Sequence, residues 1–146
     1  MTNIKHTGIY VRDIEKESEF YKNCFSMNVI CEKYRDEGPL FDDLLGYSGA
    51  KVMITKLITE MGKKTGMGDM IELIQVLTDD GALEQFDRGI CDIGMSHVAI
   101  GVSDIEQTIY KILNNGGNMI TKIHNIGKKK CCFCKDPEGN GIELIQ

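Results

Sequence analysis

The chain has 146 residues, enough for one compact domain or two very small ones, with 42% hydrophobic and 27% charged residues, ordinary for a globular protein. Seventeen Lys+Arg against 22 Asp+Glu leave a net charge of −5, which excludes a strongly basic nucleic-acid binder. No apolar run approaches the roughly 18 residues of a membrane span, and MTNIKHTGIYV lacks the charged-then-apolar-then-small order of an export signal, which predicts a cytoplasmic protein.

Hydrophobic periodicity places the elements in chain order. Residues 4–11 read as a strand and residues 14–25 as a helix. Residues 32–50 hold PLFDDLLGYSG and read as a short helix and loop. Strands are expected over 51–58 and 69–77, followed by a connection over 78–93 carrying one short helix. A strand over 95–102 leads into a helix over 104–113, where Ile105, Ile109, Ile112 and Leu113 recur at helical spacing. Ser103 with Glu106 forms a capping-box pattern at its start, and Asn114-Asn115-Gly116-Gly117 stops it. Strands over 118–123, 130–135 and 139–146 complete the chain, the last preceded by the turn Asp136-Pro137-Glu138-Gly139.

The chain repeats itself. HTGIYVRDIE from His6 returns as HVAIGVSDIE from His97, an offset of 91. Ile71-Glu72-Leu73-Ile74-Gln75 returns as Ile142-Glu143-Leu144-Ile145-Gln146, an offset of 71. The first copy is therefore 20 residues longer between its marks. This gives one domain of two modules, 1–77 and 94–146, joined by 78–93. Each module begins with a strand carrying His and ends with a strand carrying Glu.

Strand alternation then sorts the side chains. His6, Gly8 and Tyr10 face away from the first helix, and His97, Ala99 and Gly101 away from the second, while Gly141, Glu143 and Ile145 share a face. Ionisable groups among small neighbours describe a cleft, and a carboxylate buried there needs a compensating charge. Two His and two Glu can meet if the modules pair about a pseudo-twofold axis. Imidazole and carboxylate suit Zn, Ni, Co, Fe or Mn and leave positions for water or a substrate carbonyl.

HTGIYVRDIEKESEFY, GDMIELIQ, SHVAIGVSDIE and DPEGNGIELIQ together resemble the vicinal-oxygen-chelate superfamily, also called the glyoxalase/bleomycin-resistance/dioxygenase fold. The resemblance implies an α+β fold of two tandem βαβββ modules whose curled sheet surrounds a metal cleft. It implies metal ligands at His6, Glu72, His97 and Glu143, with Ni, Co or Zn as the first choices and Fe or Mn after them. Four ligands with Glu at both strand ends resemble glyoxalase I. Methylmalonyl-CoA epimerase is close, usually with Gln at the Glu72 position. The implied activity is a metal-dependent lyase/isomerase that moves a proton next to a carbonyl of a small α-oxo substrate, with Glu143 as the first candidate base and Glu72 as the second. The alternatives are an epimerase of CoA esters and a non-catalytic binder of small molecules such as antibiotics. A homodimer is implied too, since modules of this fold pair within a chain or swap between chains. Where glyoxalase I carries an Arg that grips a glutathione carboxylate, this chain has Tyr10, with Arg12 nearby.

Other groups read as structural. Cys24, Cys31, Cys91, Cys131, Cys132 and Cys134 are expected as reduced thiols, and Cys131-x-x-Cys134 lacks a second pair to complete a zinc site. Lys63-Lys64 and Lys128-Lys129-Lys130 read as solvated hairpin ends, Asp42-Asp43 as surface charge and His124 as an exposed strand residue.

Overall fold

A computed structural model describes residues 2–77 and 89–146. Most of the expected connection, including its short helix, lies outside the described residues. The chain divides into two compact units, each built on one sheet.

In the first unit the order is β1 (His6–Tyr10), α1 (Ile14–Phe25), β2 (Asn28–Glu37), α2 (Pro39–Leu45), β3 (Lys51–Ile58), α3 (Glu60–Thr65) and β4 (Met70–Val76). Its sheet runs β1-β4-β3-β2, with β1 parallel to β4 and the other pairs antiparallel. The second unit has β5 (His97–Gly101), α4 (Ile105–Asn114), β6 (Asn118–Met119), β7 (His124–Ile126), β8 (Lys129–Lys135) and β9 (Gly141–Ile145). Its sheet runs β5-β9-β8-β6, with β7 also on β8, and β5 is parallel to β9. Each unit is thus built on the βαβββ plan with a curled, unclosed sheet, as expected from the repeat; the first has two short helices inserted, and the second adds the short strand β7 on β8.

The repeated letters that are not His or Glu hold the modules together. Asp13 and Asp104 are N-caps, accepting from the amides of Lys16 and Gln107. The cap of α4 is therefore Asp104, one residue past the expected Ser103, and Gln107 rather than Glu106 occupies the third helical position. The Gln that closes each ELIQ reaches back to the same helix start. Gln75 Oε1 accepts from the Ile14 amide at 3.1 Å and Gln146 Oε1 from the Ile105 amide at 2.8 Å. Each Gln satisfies a helix-start amide that has no partner within the helix. The last strand of each module is thereby tied to its helix.

One face of each sheet is buried. In the first unit Ile71 and Leu73 point inward, and on α1 Ile14, Phe20, Tyr21 and Cys24 are buried. Glu17 is fully buried on the same helix, a carboxylate that helical spacing alone assigns to the apolar face. In the second unit Ile142, Leu144, Cys132 and Cys134 are buried, as are Ile105, Ile109 and Ile112 of α4.

Two elements depart from expectation. Residues 28–37 form a strand rather than part of a loop. CEKYRDE has no apolar alternation because β2 is an edge strand, and it is irregular: Lys33 has φ +46° and its amide donates to Thr55 Oγ1. Lys63 and Lys64 lie in α3 rather than at a hairpin tip. Asp42 is also more than surface charge, since Oδ1 accepts from the Ala50 amide at 2.8 Å and closes the loop after α2. That loop and α2 lay Phe41, Ala50 and Leu45 over Val52, Ile54, Ile74 and Val76. The extra length of the first copy therefore covers one end of the face that carries Glu72.

Candidate metal centre

In the first unit β4 lies between β1 and β3, so Glu72 has a neighbour on each side. Gly8 is opposite on β1 and Lys56 is opposite on β3. Residues directly opposite point to the same face. His6, two residues before Gly8, shares it, with Nε2 3.9 Å from Glu72 Oε2. Lys56 Nζ is closer, 2.9 Å from the same oxygen. That hydrogen bond raises the Lys56 pKa. Tyr10 is on this face too; burial, then the charge of Glu72, raises its phenol pKa.

The second unit repeats the register with different neighbours. Glu143 on β9 has Ala99 opposite on β5 and Phe133 opposite on β8. His97 Nε2 is 3.2 Å from Glu143 Oε2. Its Nδ1 is 2.5 Å from Ser96 Oγ, and its ring meets Phe133 edge-on with centroids 5.0 Å apart. The other carboxylate oxygen, Oε1, accepts from Cys131 Sγ at 3.1 Å. That bond, with burial and the charge of Glu143, pushes the Cys131 thiol up to about 11, so it is a neutral donor at physiological pH.

Each expected pair is therefore brought together within its own unit. The four residues take the same positions in both registers, one His and one Glu on the open side of two parallel strands. The donor set of each pair, one imidazole nitrogen and one carboxylate oxygen, fits half of an N/O ligand shell for a divalent ion. Among the described residues no group of three or more His, Cys, Asp or Glu is arranged to hold a metal. The cysteines add nothing to that set. Cys131 and Cys134 are three apart on one strand and so lie on opposite faces. Burial pushes Cys24 and Cys134 up to about 12, and all six cysteines are free thiols. His124 is an exposed strand residue, as expected.

The glycines near the two pairs have separate reasons. A Cβ at Gly8 would meet only Ile74 Cδ1, at 3.9 Å, and one at Gly101 would meet nothing within 4 Å. These two leave open space, as a cleft requires. A Cβ at Gly141 would lie 2.4 Å from the Ser96 carbonyl, so that glycine serves backbone approach instead.

Sequence reading missed Lys56, Phe133, Cys131 and Ser96. The first three become visible only with strand register. Once Lys51–Ile58 and Met70–Val76 are paired around α3, Lys56 falls opposite Glu72.

The family model described as the Glyoxalase/Bleomycin resistance protein/Dioxygenase superfamily matches residues 3–144. A probable lactoylglutathione lyase of Synechocystis is 30% identical over 143 residues, covering 97% of this chain and 92% of that protein. The lactoylglutathione lyase of Neisseria meningitidis is 26% identical over 143 residues, covering 97% and 88%. A glyoxalase family protein of Bacillus cereus superposes with a TM-score of 0.83 at 18% identity, covering 99% of this chain and 93% of its own, a likeness of fold. With its two repeated βαβββ-type modules and a match over almost its whole length, the chain belongs to the glyoxalase/bleomycin resistance/dioxygenase superfamily.

Proposed function

We propose that this protein is a metal-dependent lyase/isomerase of glyoxalase-I type, acting on a small α-oxo substrate such as a thiol hemithioacetal. One observation carries the reading: the same His–Glu pair stands at the same register on the open side of both sheets. The relatives named lactoylglutathione lyase support it. In this proposal His6, Glu72, His97 and Glu143 form one ligand set, completed within a chain or across a homodimer. They would hold a divalent ion, Ni, Co or Zn before Fe or Mn, which would supply a Lewis acid for a substrate carbonyl and so would acidify the neighbouring C–H.

The side chains do the rest. Glu143 takes the proton from the carbon bearing sulfur and hydroxyl and returns it to the adjacent carbonyl carbon, while the hydroxyl proton passes to the former carbonyl oxygen. The substrate is isomerised to a thioester, and no oxidant or reductant is consumed. The Cys131 thiol holds Glu143 Oε1, so the carboxylate is oriented before substrate arrives, with Oε2 left on the side of His97. Ser96 and Phe133 fix the His97 ring. Tyr10 lines the same face as Glu72 and offers a phenol to the substrate.

The test is conversion of the methylglyoxal–glutathione hemithioacetal to S-lactoylglutathione, followed by ultraviolet absorbance with each of the five ions. Turnover with at least one ion, abolished by chelation, supports the proposal. No turnover with any ion, on protein shown to be folded, would remove it. A screen of CoA esters and antibiotics would then decide between an epimerase and a binder.

A further inference from the structure

The two Glu residues of the repeat do not have equivalent surroundings, and the difference is a single charge. On β1, β3 and β4 the side of the sheet that carries Glu72 holds one cationic side chain, Lys56. Its ammonium lies 2.9 Å from Glu72 Oε2, nearer than the His6 ring at 3.9 Å. The Glu72 side chain is 12% exposed, so this pair is partly desolvated and its attraction exceeds that of a surface pair. At the matching position of the second unit Phe133 packs on His97 and brings no charge.

A divalent ion on Glu72 Oε2 and an ammonium on the same oxygen repel each other, and the carboxylate cannot satisfy both at full strength. The Lys56 side chain is 38% exposed and has a flexible four-carbon stem, so it has a way out into water. We propose that Lys56 is a built-in competitor for Glu72: its ammonium occupies the carboxylate in the metal-free protein and is displaced when a divalent ion binds. Lys56 thereby weakens the site for cations and determines how tightly it loads. The second unit, whose Glu143 faces no ammonium, contributes the stronger half of the ligand set. This inference rests on the ligand set proposed above and adds a residue that opposes it.

The experiment uses the whole chain and two readouts that do not depend on activity. Zn and Ni affinities are measured by competition with a chromogenic chelator for the unaltered protein, Lys56→Met and Lys56→Gln. Both variants are expected to bind at least about tenfold more tightly. Separately, acylation of Lys56 in the unaltered protein is timed by peptide mass spectrometry with and without Zn. The rate is expected to rise several-fold with the ion, and Glu72→Gln is expected to show the raised rate without it. Binding by the variants alone also supports the proposal, since the ammonium then wins outright. Binding that is equal in all three proteins, with Lys56 acylation indifferent to Zn, overturns the competition while leaving the ligand set standing. Binding by none of them overturns both.

Discussion

The halves of this molecule are a controlled comparison. Both begin with a strand bearing His, cap a helix with Asp, and close on ELIQ, whose Gln latches that helix. Both set Glu beside a small residue of the parallel strand, Gly8 or Ala99. They differ on the antiparallel side. Glu72 meets the Lys56 ammonium, whereas Glu143 meets the Phe133 ring and takes a thiol hydrogen bond from Cys131. The first arrangement pairs a carboxylate with an ammonium. The second holds it with a thiol hydrogen bond beside an imidazole that Ser96 and Phe133 brace, the surroundings the proposed base would use. One fold thus carries two carboxylates whose neighbours suit them to different roles.

The largest effect that sharpens this contrast is on turnover. Glu143→Gln is expected to lower kcat about 10³-fold, within the range for loss of a general base. Glu72→Gln should cost about tenfold at limiting ion, through metal affinity, and little once the ion saturates. Steady-state kinetics across an ion titration check both, and equal losses of kcat at saturating ion would erase the division of roles.

A second comparison concerns stability. Gly141→Ala places a methyl against the Ser96 carbonyl and should cost about 2 kcal/mol. Gly8→Ala adds a methyl in ordinary contact and should stay within about 0.5 kcal/mol. Urea denaturation measures both.

The smallest effect is alkaline. A Cys131 thiol loses its proton near its ordinary value, about 8.5, in the unfolded chain but only near 11 in the native one. Between those values the unfolded state holds fewer protons, so the unfolding free energy falls as pH rises. Cys134, pushed up to about 12, acts in the same direction. The urea midpoint should therefore decline from pH 8.5 to 10.5, and less steeply in Cys131→Val. The first unit has Ile54 where the second has Cys131, so no thiol stands at that register; Cys24 of α1, pushed up to about 12, adds to the same trend.

Much of this was legible in the letters because it repeats. His6, Glu72, His97 and Glu143 stand out at offsets of 91 and 71, and period-two alternation puts each on the open side of its sheet. The capping residues and the latching Gln residues were visible as part of the same repeat, though not their roles. What stayed hidden lies across strands. Lys56 reads as one more charge in KVMITKLITE, and Phe133 as one more apolar residue in KCCFCK. Only register sets each opposite a carboxylate. β2 escaped notice because an irregular edge strand has no buried face to impose alternation, and Glu17 because a carboxylate on a helix reads as solvated.

The account stands most directly on the ligand set, and metal stoichiometry tests it. Untagged protein, incubated with each ion and desalted, is analysed by inductively coupled plasma mass spectrometry beside a His6→Ala/Glu143→Ala variant. About one ion per chain is predicted from the proposed four-donor ligand set, with the ion lost in the variant. An ion content unchanged by the two substitutions, or no ion retained under any loading, would contradict it.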